Sequence, residues 1–244
     1  MVNDKKTSYN SKELLELNLE FSHDEIIQNL NCSCCDDFVK IFSIVNLDKL
    51  YSLDETVSLF NNLTNHPTPV REVVAFKLEE IYDDKFFNSE IKEQFLRSII
   101  DINPNVCRAI CNLISKSEFL QNELSDEIIK RINELLNEIK QNDKELGGFF
   151  DDALKIRKNH AKNKKLFSLY WYLEALSICI GRKTNSLVLE IVKQTIKFND
   201  YTIREKSAKI LAKLDNPPIE LLNFAKFDQN FYVKNQVYDK ISMK

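Results

Sequence analysis

The densest group of reactive side chains is a short run of cysteines followed by two aspartates. The run comprises Cys32, Cys34 and Cys35, and Asp36 and Asp37 follow directly. Thiolates and carboxylates can ligate zinc, but a structural zinc site needs two separated ligand pairs around one ion. No second Cys or His pair with suitable spacing follows in the sequence. We therefore expect a loop at a helix start here, and no metal.

The remaining cysteines and histidines do not form a recognisable catalytic pattern. Cys107 and Cys111 stand at helical spacing in an apolar pattern, which favours packing in the core. His23, His66 and His160 are isolated, and none has a Ser, Cys or Asp arranged as a nucleophile system. No glycine-rich phosphate motif occurs. The sequence thus favours a non-catalytic role without a cofactor, and it assigns no catalytic residue.

A basic segment followed by aromatic residues is the most suggestive binding feature. Six of the eleven residues from 155 to 165 are basic: Lys155, Arg157, Lys158, Lys162, Lys164 and Lys165. Phe167, Tyr170, Trp171 and Tyr172 follow. Such a segment can contact a phosphate backbone and stack bases. It also suits an acidic protein partner, and the aromatic residues alternate with leucines as they do in a buried helix.

Charge is divided unevenly along the chain. Residues 1–148 hold 16 Lys and Arg against 27 Asp and Glu, a balance of −11, whereas residues 149–244 hold 18 against 10, a balance of +8. The whole chain has a net charge of −3 and a pI of about 5.8, which is low for a nucleic-acid-binding domain. The asymmetry indicates two solvated surfaces of opposite sign, or surfaces that meet in a complex.

The elements that position these residues are predicted to be helices throughout. Only 3 Gly and 5 Pro occur in 244 residues, which argues against sandwiches and barrels with frequent turns. Apolar periodicity predicts helices at about 11–21, 23–31, 36–47, 53–64, 69–83, 89–101, 104–116, 126–142, 149–160, 163–180, 185–198, 201–214, 217–225 and 231–242.

Helix starts carry capping signals. Ser22 with Glu25, and Ser52 with Glu55, have the spacing of a capping box. Three further starts place a capping residue directly before a proline: Thr68-Pro69, Asn103-Pro104 and Asn216-Pro217. These signals support a fold composed only of helices.

Two sequence features bear on organisation and location. Gly147-Gly148 lies within 143–148, where the charge balance changes sign, so this stretch is either a hinge between an acidic N-terminal and a basic C-terminal lobe or a simple helix stop. No apolar run reaches the ~18–20 residues of a membrane span, and the N-terminus lacks the apolar core of a signal peptide. We therefore expect a single cytoplasmic array covering residues 1–244, with no membrane partner.

Several predicted helices open with the same pattern. A β-branched residue is followed by a basic one, then by a small or apolar residue four positions on and an apolar one seven positions on, which places all three on one face. The clearest instances are Val70-Arg71 with Ala75 and Leu78, and Ile203-Arg204 with Ala208 and Leu211. The instance at Val106 has its basic residue, Arg108, displaced by one position.

These repeated starts resemble the HEAT repeat family and its shorter variants akin to the phycobilisome lyases. The resemblance implies an all-α, α-α superhelix of antiparallel helix pairs, irregular because 118–198 matches poorly. It also implies that Arg71, Arg108 and Arg204 are structural repeat positions. The second helices of the pairs would form the partner-binding face, at about 53–64, 89–101, 126–142, 185–198 and 217–225. The expected function is a protein-binding scaffold or adaptor.

Three alternatives remain open at this point. The first is an enzyme or enzyme subunit of HEAT type, similar to the phycobilisome lyases or to DNA glycosylases; the latter requires Trp171 in a polar cleft beside a carboxylate. The second is nucleic-acid binding through 155–165. The third is self-assembly between the acidic half of one copy and the basic half of another.

Overall fold

A computed structural model describes residues 21–64, 66–145, 152–180 and 186–242, and it describes side chains in these ranges except those of 142–159 and 239–242. The described residues form α-helices, one short 3₁₀ turn at Asp84–Phe86 and no strand, as the sequence predicts. None of the described helices is long and apolar enough to cross a bilayer. Residues 11–20 of the helix predicted at 11–21, and residues 146–148 of the hinge predicted at 143–148, lie outside the described residues, whereas residues 143–145 are helical.

The chain divides into two compact units, residues 1–113 and 114–244, here called the N-terminal and C-terminal units. The N-terminal unit contains α1 (His23–Asn31), α2 (Asp37–Val45), α3 (Leu53–Thr64), α4 (Thr68–Ile81) and α5 (Ser89–Ile99). The division falls within α6 (Pro104–Lys116). The C-terminal unit contains α7 (Glu118–Glu145), α8 (Asp152–Cys179), α9 (Ser186–Thr195), α10 (Tyr201–Lys213), α11 (Ile219–Lys226) and α12 (Phe231–Ser242).

Neighbouring helices pack against one another inside each unit. In the N-terminal unit, α2 and α3 both pack on α4, and α3 also packs on α5. In the C-terminal unit, α7 packs along α8, and α10 contacts α8, α9, α11 and α12. The long helix α8 and the central helix α10 therefore organise the C-terminal unit.

The repeated apolar pattern lies in the core of each unit. Val70, Ala75 and Leu78 on α4 are fully buried, as are their counterparts on α10. A buried alanine at the middle position removes side-chain bulk between packed helices. Phe60 and Phe95 meet edge to face in the N-terminal core, with ring centroids 5.1 Å apart. Burying each such ring contributes about 2–3 kcal/mol.

Several capping predictions are confirmed. The side chain of Ser22 accepts from the Glu25 amide while Glu25 accepts from the Ser22 amide, which completes a capping box. The Asn103 side chain accepts from the Asn105 amide at 3.0 Å. Ser52 accepts from the Glu55 amide, but the Glu55 carboxylate binds the Tyr51 amide instead of returning to Ser52.

Other predicted boundaries are wrong. The helices expected at 149–160 and 163–180 are one continuous helix, α8, because Ala161 and Lys162 are good helix formers and no breaker separates the two segments. Helix α7 begins at Glu118 rather than 126, since the Ser117 hydroxyl caps the Leu120 amide. Helix α11 begins after Pro218, not at Pro217.

Helix α4 also starts differently from the prediction. It begins at Thr68, with Pro67 preceding it and no side-chain cap bond, so Thr68 is not the cap. The Thr68 hydroxyl instead accepts from the guanidinium of Arg71 at 3.3 Å.

Candidate interaction surface

The basic segment runs along the first part of α8. Lys155, Arg157 and Lys158 belong to this helix, but their side chains are not among those described. Lys164 is exposed, whereas the ammonium of Lys165 lies 2.9 Å from the carboxylate of Glu138 on α7. Lys165, one of the predicted binding residues, therefore forms an ion pair with a side chain of the neighbouring helix α7.

The aromatic residues after this segment are mostly covered. Trp171 is only 7% exposed and Tyr172 only 4%, so both belong to the core. Tyr170 is half-buried, and the ammonium of Lys206 lies 4.7 Å from its ring centroid, over one face. Stacking on bases requires open ring faces, so Trp171 and Tyr172 are not available for it, and one face of Tyr170 is occupied by Lys206.

A buried charge cluster fixes α10 against α8 beneath Tyr170. The carboxylate of Glu174 lies 3.0 Å from the ammonium of Lys206 and accepts from Lys209 at 2.6 Å. Burial lowers the pKa of Lys206, but the Glu174 carboxylate outweighs this and raises it overall. Burial likewise raises the pKa of Glu174, while Lys209 and Lys206 lower it below its usual value. Glu174 and Lys206 therefore stay charged at neutral pH, as the members of a buried ion pair do.

A shallow groove runs between α8 and the segment that precedes α10. One part, of about 290 Å³, is lined by Lys162, Leu166, Lys197, Phe198, Asn199 and Asp200. The adjoining part, of about 330 Å³, is lined by Asn163, Leu166, Phe167, Tyr170, Asp200 and Thr202. The Asp200 carboxylate caps α10 by accepting from the amide and hydroxyl of Thr202, at 2.8 and 2.7 Å. Asp200 is therefore engaged in this cap. Among the residues that line the groove, the basic ones are Lys162 and Lys197.

Lys197 connects this groove to an exposed apolar surface. Its ammonium lies 4.8 Å from the ring centroid of Phe224 on α11, a cation–π contact. Phe224 and Phe227, with Glu220 and Asn223, line a further hollow of about 350 Å³. Phe227 is 75% exposed. We call the surface formed by Lys162, Leu166, Lys197, Phe224 and Phe227 the Lys197 strip.

Arg204, the basic residue of the pattern in the C-terminal unit, links α10 to the segment just before α12. The Arg204 guanidinium on α10 donates to both carboxylate oxygens of Asp228, at 2.6 and 3.0 Å. It also donates to the carbonyls of Phe198 and Asn199, each at 2.8 Å. The Arg204 guanidinium holds the pKa of Asp228 below its usual range. Asp228 in turn accepts from the Asn230 amide just before α12. The Arg204 side chain thus connects α10 with the segment before α10 and with the segment before α12.

The N-terminal unit contains the same link in a weaker form. The Arg71 guanidinium on α4 lies 3.4 Å from the carboxylate of Asp101. Asp101 accepts from the Asn103 amide at 2.7 Å, as Asp228 does from Asn230. The residue after each arginine also reaches the second helix along the chain. Glu72 accepts from the side chains of Asn103 and Asn105 at the start of α6, both at 2.7 Å, and Glu205 accepts from Gln236 on α12 at 3.3 Å.

Two other basic residues of the pattern, Arg108 and the Lys40 that follows Val39, make different contacts. Arg108 donates to Asn105 within α6, at 2.9 Å. Lys40 on α2 is buried, and its ammonium donates to the carbonyls of Asn29 and Leu30 and to the side chain of Asn62. Burial lowers the pKa of Lys40, because the ammonium has no carboxylate among these bonding partners.

The cysteine run lies between α1 and α2, where Asp36 caps α2 by accepting from the Phe38 amide. Among the described residues, no group of three or more His, Cys, Asp or Glu side chains has an arrangement that could hold a metal ion. Cys107 and Cys111 are buried. His23 is the first residue of α1, and its Nε2 lies 3.2 Å from the carboxylate of Glu55.

Of the five residues of the Lys197 strip, the sequence-based prediction of the binding segment includes only Lys162. Phe224 and Phe227 occupy apolar positions that a periodicity argument assigns to the core, yet both are exposed. The sequence signal that points to Lys197 and Phe224 is their location in two segments predicted as second helices of pairs, 185–198 and 217–225. No protein-family model matches the chain, and no curated protein matches it. Its function must therefore be argued from this surface.

Proposed function

We propose that this protein is a non-catalytic scaffold of the HEAT-like solenoid type that binds an acidic, amphipathic segment of a partner protein on the Lys197 strip. The observation that carries the proposal is the placement of Lys197 between a basic groove and an exposed aromatic hollow. Exposed apolar surface rimmed by charge is typical of protein interaction sites.

The solenoid part of the proposal is supported by the repeated link between helices. Arg71 with Asp101, and Arg204 with Asp228, use the same residue types at the same helix positions, 133 residues apart. A device that joins one helix to the start of a later one suits units that bury their faces against neighbours. The arginine and aspartate of each link bind each other, which is typical of a structural contact rather than of a catalytic site.

The chemistry of the strip defines the partner segment. Phe224 and Phe227 offer an apolar hollow for one or two large side chains, which would act as anchors. Lys162 and Lys197 line the groove on one side of this hollow and attract carboxylates. Lys226 adds a positive charge beside Phe227, because its ammonium lies 5.4 Å from the centroid of that ring. An acidic segment with apolar anchors is complementary to both features.

The alternatives have less support. A glycosylase-like site requires Trp171 in a polar cleft, and Trp171 is buried. Base stacking beside the basic run has fewer open ring faces than the sequence suggests, because Trp171 and Tyr172 are buried and Lys206 covers one face of Tyr170.

The test is an affinity capture from native cytosol with the full chain as bait, repeated after nuclease treatment and at two salt concentrations. Two variants of the strip, Phe227→Ala and Lys197→Glu, are compared with the unchanged protein. Recovered proteins are identified by mass spectrometry and rebound in purified form. We expect a protein retained after nuclease whose capture falls about tenfold or more with Phe227→Ala. Capture with Lys197→Glu should fall most at low salt.

Matched controls come from the same unit. Phe119→Ala removes another exposed phenylalanine, and Lys130→Glu reverses another exposed lysine, both on α7 and outside the strip. These controls should bind normally. Equal losses for strip and control variants would overturn the assignment of the surface. Loss of every partner after nuclease would instead establish nucleic-acid binding.

A further inference from the structure

Three thiols meet in the loop between α1 and α2. The sulfur atoms of Cys32 and Cys34 are 3.1 Å apart. Cys34 is exposed and Cys32 partly so, which leaves both open to small reagents. Cys35 is also partly exposed, and its thiol points to the side-chain oxygen of Asn29 at 3.9 Å. A disulfide has a sulfur–sulfur bond of about 2.05 Å, so closing the first pair requires a movement of about 1 Å.

The environment singles out one of the three as the nucleophile. Hydrogen bonds from the Cys35 and Cys34 thiols lower the pKa of Cys32 to about 7. Burial and the bond to Cys32 raise the pKa of Cys35 to about 12. The hydrogen bond to Cys32 also raises the pKa of Cys34. Thiolates, not thiols, attack oxidants, so Cys32 should react first.

We propose that Cys32 and Cys34 form an oxidisable thiol pair, a modification site for hydrogen peroxide that closes to a disulfide across one residue. In the first step the Cys32 thiolate attacks a peroxide oxygen, forming a sulfur–oxygen bond. The oxygen–oxygen bond breaks, and the released hydroxide takes up a proton to become water.

The second step consumes the sulfenic acid on Cys32. The Cys34 sulfur loses its proton and attacks the Cys32 sulfur; the sulfur–sulfur bond forms, the sulfur–oxygen bond breaks, and hydroxide leaves with that proton as water. Each sulfur loses one electron in total, and the peroxide gains two. A thiol reductant reverses the change by ordinary exchange.

The other cysteines provide an internal comparison. Cys107, Cys111 and Cys179 are buried, and burial raises the pKa of Cys107 and of Cys179 to about 12. These thiols should stay reduced under conditions that oxidise the pair. The site lies in the N-terminal unit and does not depend on the Lys197 strip, so it stands or fails separately from the proposed function.

The experiment treats the full folded chain with hydrogen peroxide, then unfolds it and labels the remaining thiols with a maleimide. Intact mass should show six labels before treatment and four after it, and a reductant should restore six. Peptide mapping should place a loss of two hydrogens in the peptide that contains Cys32. Retention of all six labels at peroxide levels that oxidise a free low-pKa thiol would overturn the proposal.

Three variants identify the roles. Cys34→Ser should stop disulfide formation and leave a sulfenic acid on Cys32 that dimedone traps. Cys35→Ser should still lose two labels. Cys32→Ser should abolish both products, with circular dichroism confirming that all three variants fold. Disulfide formation in Cys34→Ser, or its absence in Cys35→Ser, would contradict the assigned pair.

Discussion

Both units use an arginine followed by a glutamate to join one helix to the start of the second helix along, but they distribute the hydrogen bonds of this pair differently. In the C-terminal unit Arg204 holds both oxygens of Asp228, and Glu205 makes one long bond of 3.3 Å. In the N-terminal unit the balance is reversed. Glu72 accepts two amide bonds at 2.7 Å, and Arg71 reaches Asp101 only at 3.4 Å.

The reversal is explained by one residue of the receiving helix. Asn103 and Asn230 occupy matching positions two residues after the acceptor aspartate. Two residues further on stand Asn105 in one unit and Tyr232 in the other. Asn105 supplies a second amide to Glu72, whereas Tyr232 has none to give, so Glu205 reaches to Gln236 instead. The same two residue types thus stabilise the C-terminal unit mainly through the arginine and the N-terminal unit mainly through the glutamate.

The largest expected effect is the loss of the strong arginine. Arg204→Ala removes a two-pronged ion pair and two carbonyl bonds from a half-buried site, and should destabilise the C-terminal unit by about 3 kcal/mol. Trp171 is the only tryptophan in the chain and is buried in this unit, so its fluorescence in a urea titration measures the change.

Arg71→Ala is the matched comparison. It removes one long ion pair and one hydrogen bond of 3.3 Å to the Thr68 hydroxyl, and should destabilise the N-terminal unit by about 1 kcal/mol. Hydrogen exchange of the α4 amides measures this change. Equal costs for the two alanine variants would break the contrast between the units.

The next largest effect concerns the glutamates and has the opposite order. Glu72→Ala leaves the amides of Asn103 and Asn105 without their acceptor, and should cost about 1.5 kcal/mol. Glu205→Ala removes one weak bond and should cost about 0.5 kcal/mol or less. Hydrogen exchange of α4 and tryptophan fluorescence report the respective units. A larger cost for Glu205→Ala would contradict the proposed division of hydrogen bonds.

Acid should remove the glutamate contribution. Hydrogen bonds from Asn103 and Asn105 hold the pKa of Glu72 below its ordinary value of 4.5. Because the folded pKa is lower than the unfolded one, this stabilisation is complete above 4.5 and disappears as the pH falls through the folded value. The difference in unfolding free energy between the unchanged protein and Glu72→Ala should therefore shrink in acid. A difference that stays constant down to strongly acidic pH would show that the charge of Glu72 is unimportant.

The smallest expected effect transfers the N-terminal arrangement to the C-terminal unit. Tyr232→Asn places an amide where Asn105 stands, and should stabilise the C-terminal unit by about 0.5 kcal/mol by giving Glu205 a second donor. Because Tyr232 is exposed, little packing is lost. The control is Tyr232→Ala, which has no amide and should bring no gain. Equal stabilities of the Asn and Ala variants would refute the explanation of the reversal.

Much of this architecture is local and therefore readable from the sequence. Capping residues such as Ser22 and Asn103 act within a few positions of their partners, so they mark helix starts correctly. The fusion of two predicted helices into α8 was missed because its midpoint carries charge rather than a breaker. Polar residues there break an apolar pattern without interrupting the helix.

The candidate site depended on contacts between residues distant in sequence. Nothing local shows that Lys206 covers Tyr170 or that Trp171 is buried, since a basic run beside aromatics suits either a core helix or a binding platform. The contact between Lys197 and Phe224 depends on how α9 and α11 are held by α10. The spacing of residues along the chain does not predict contacts of this kind.

The most direct test is hydrogen–deuterium exchange on the full chain, alone and with the purified partner recovered in the capture experiment. The account predicts added protection in the C-terminal unit, at residues 160–170, 195–200 and 219–228, and no added protection in α1–α5 of the N-terminal unit. Protection confined to the N-terminal unit, or equal in both units, would contradict the Lys197 strip as the binding surface.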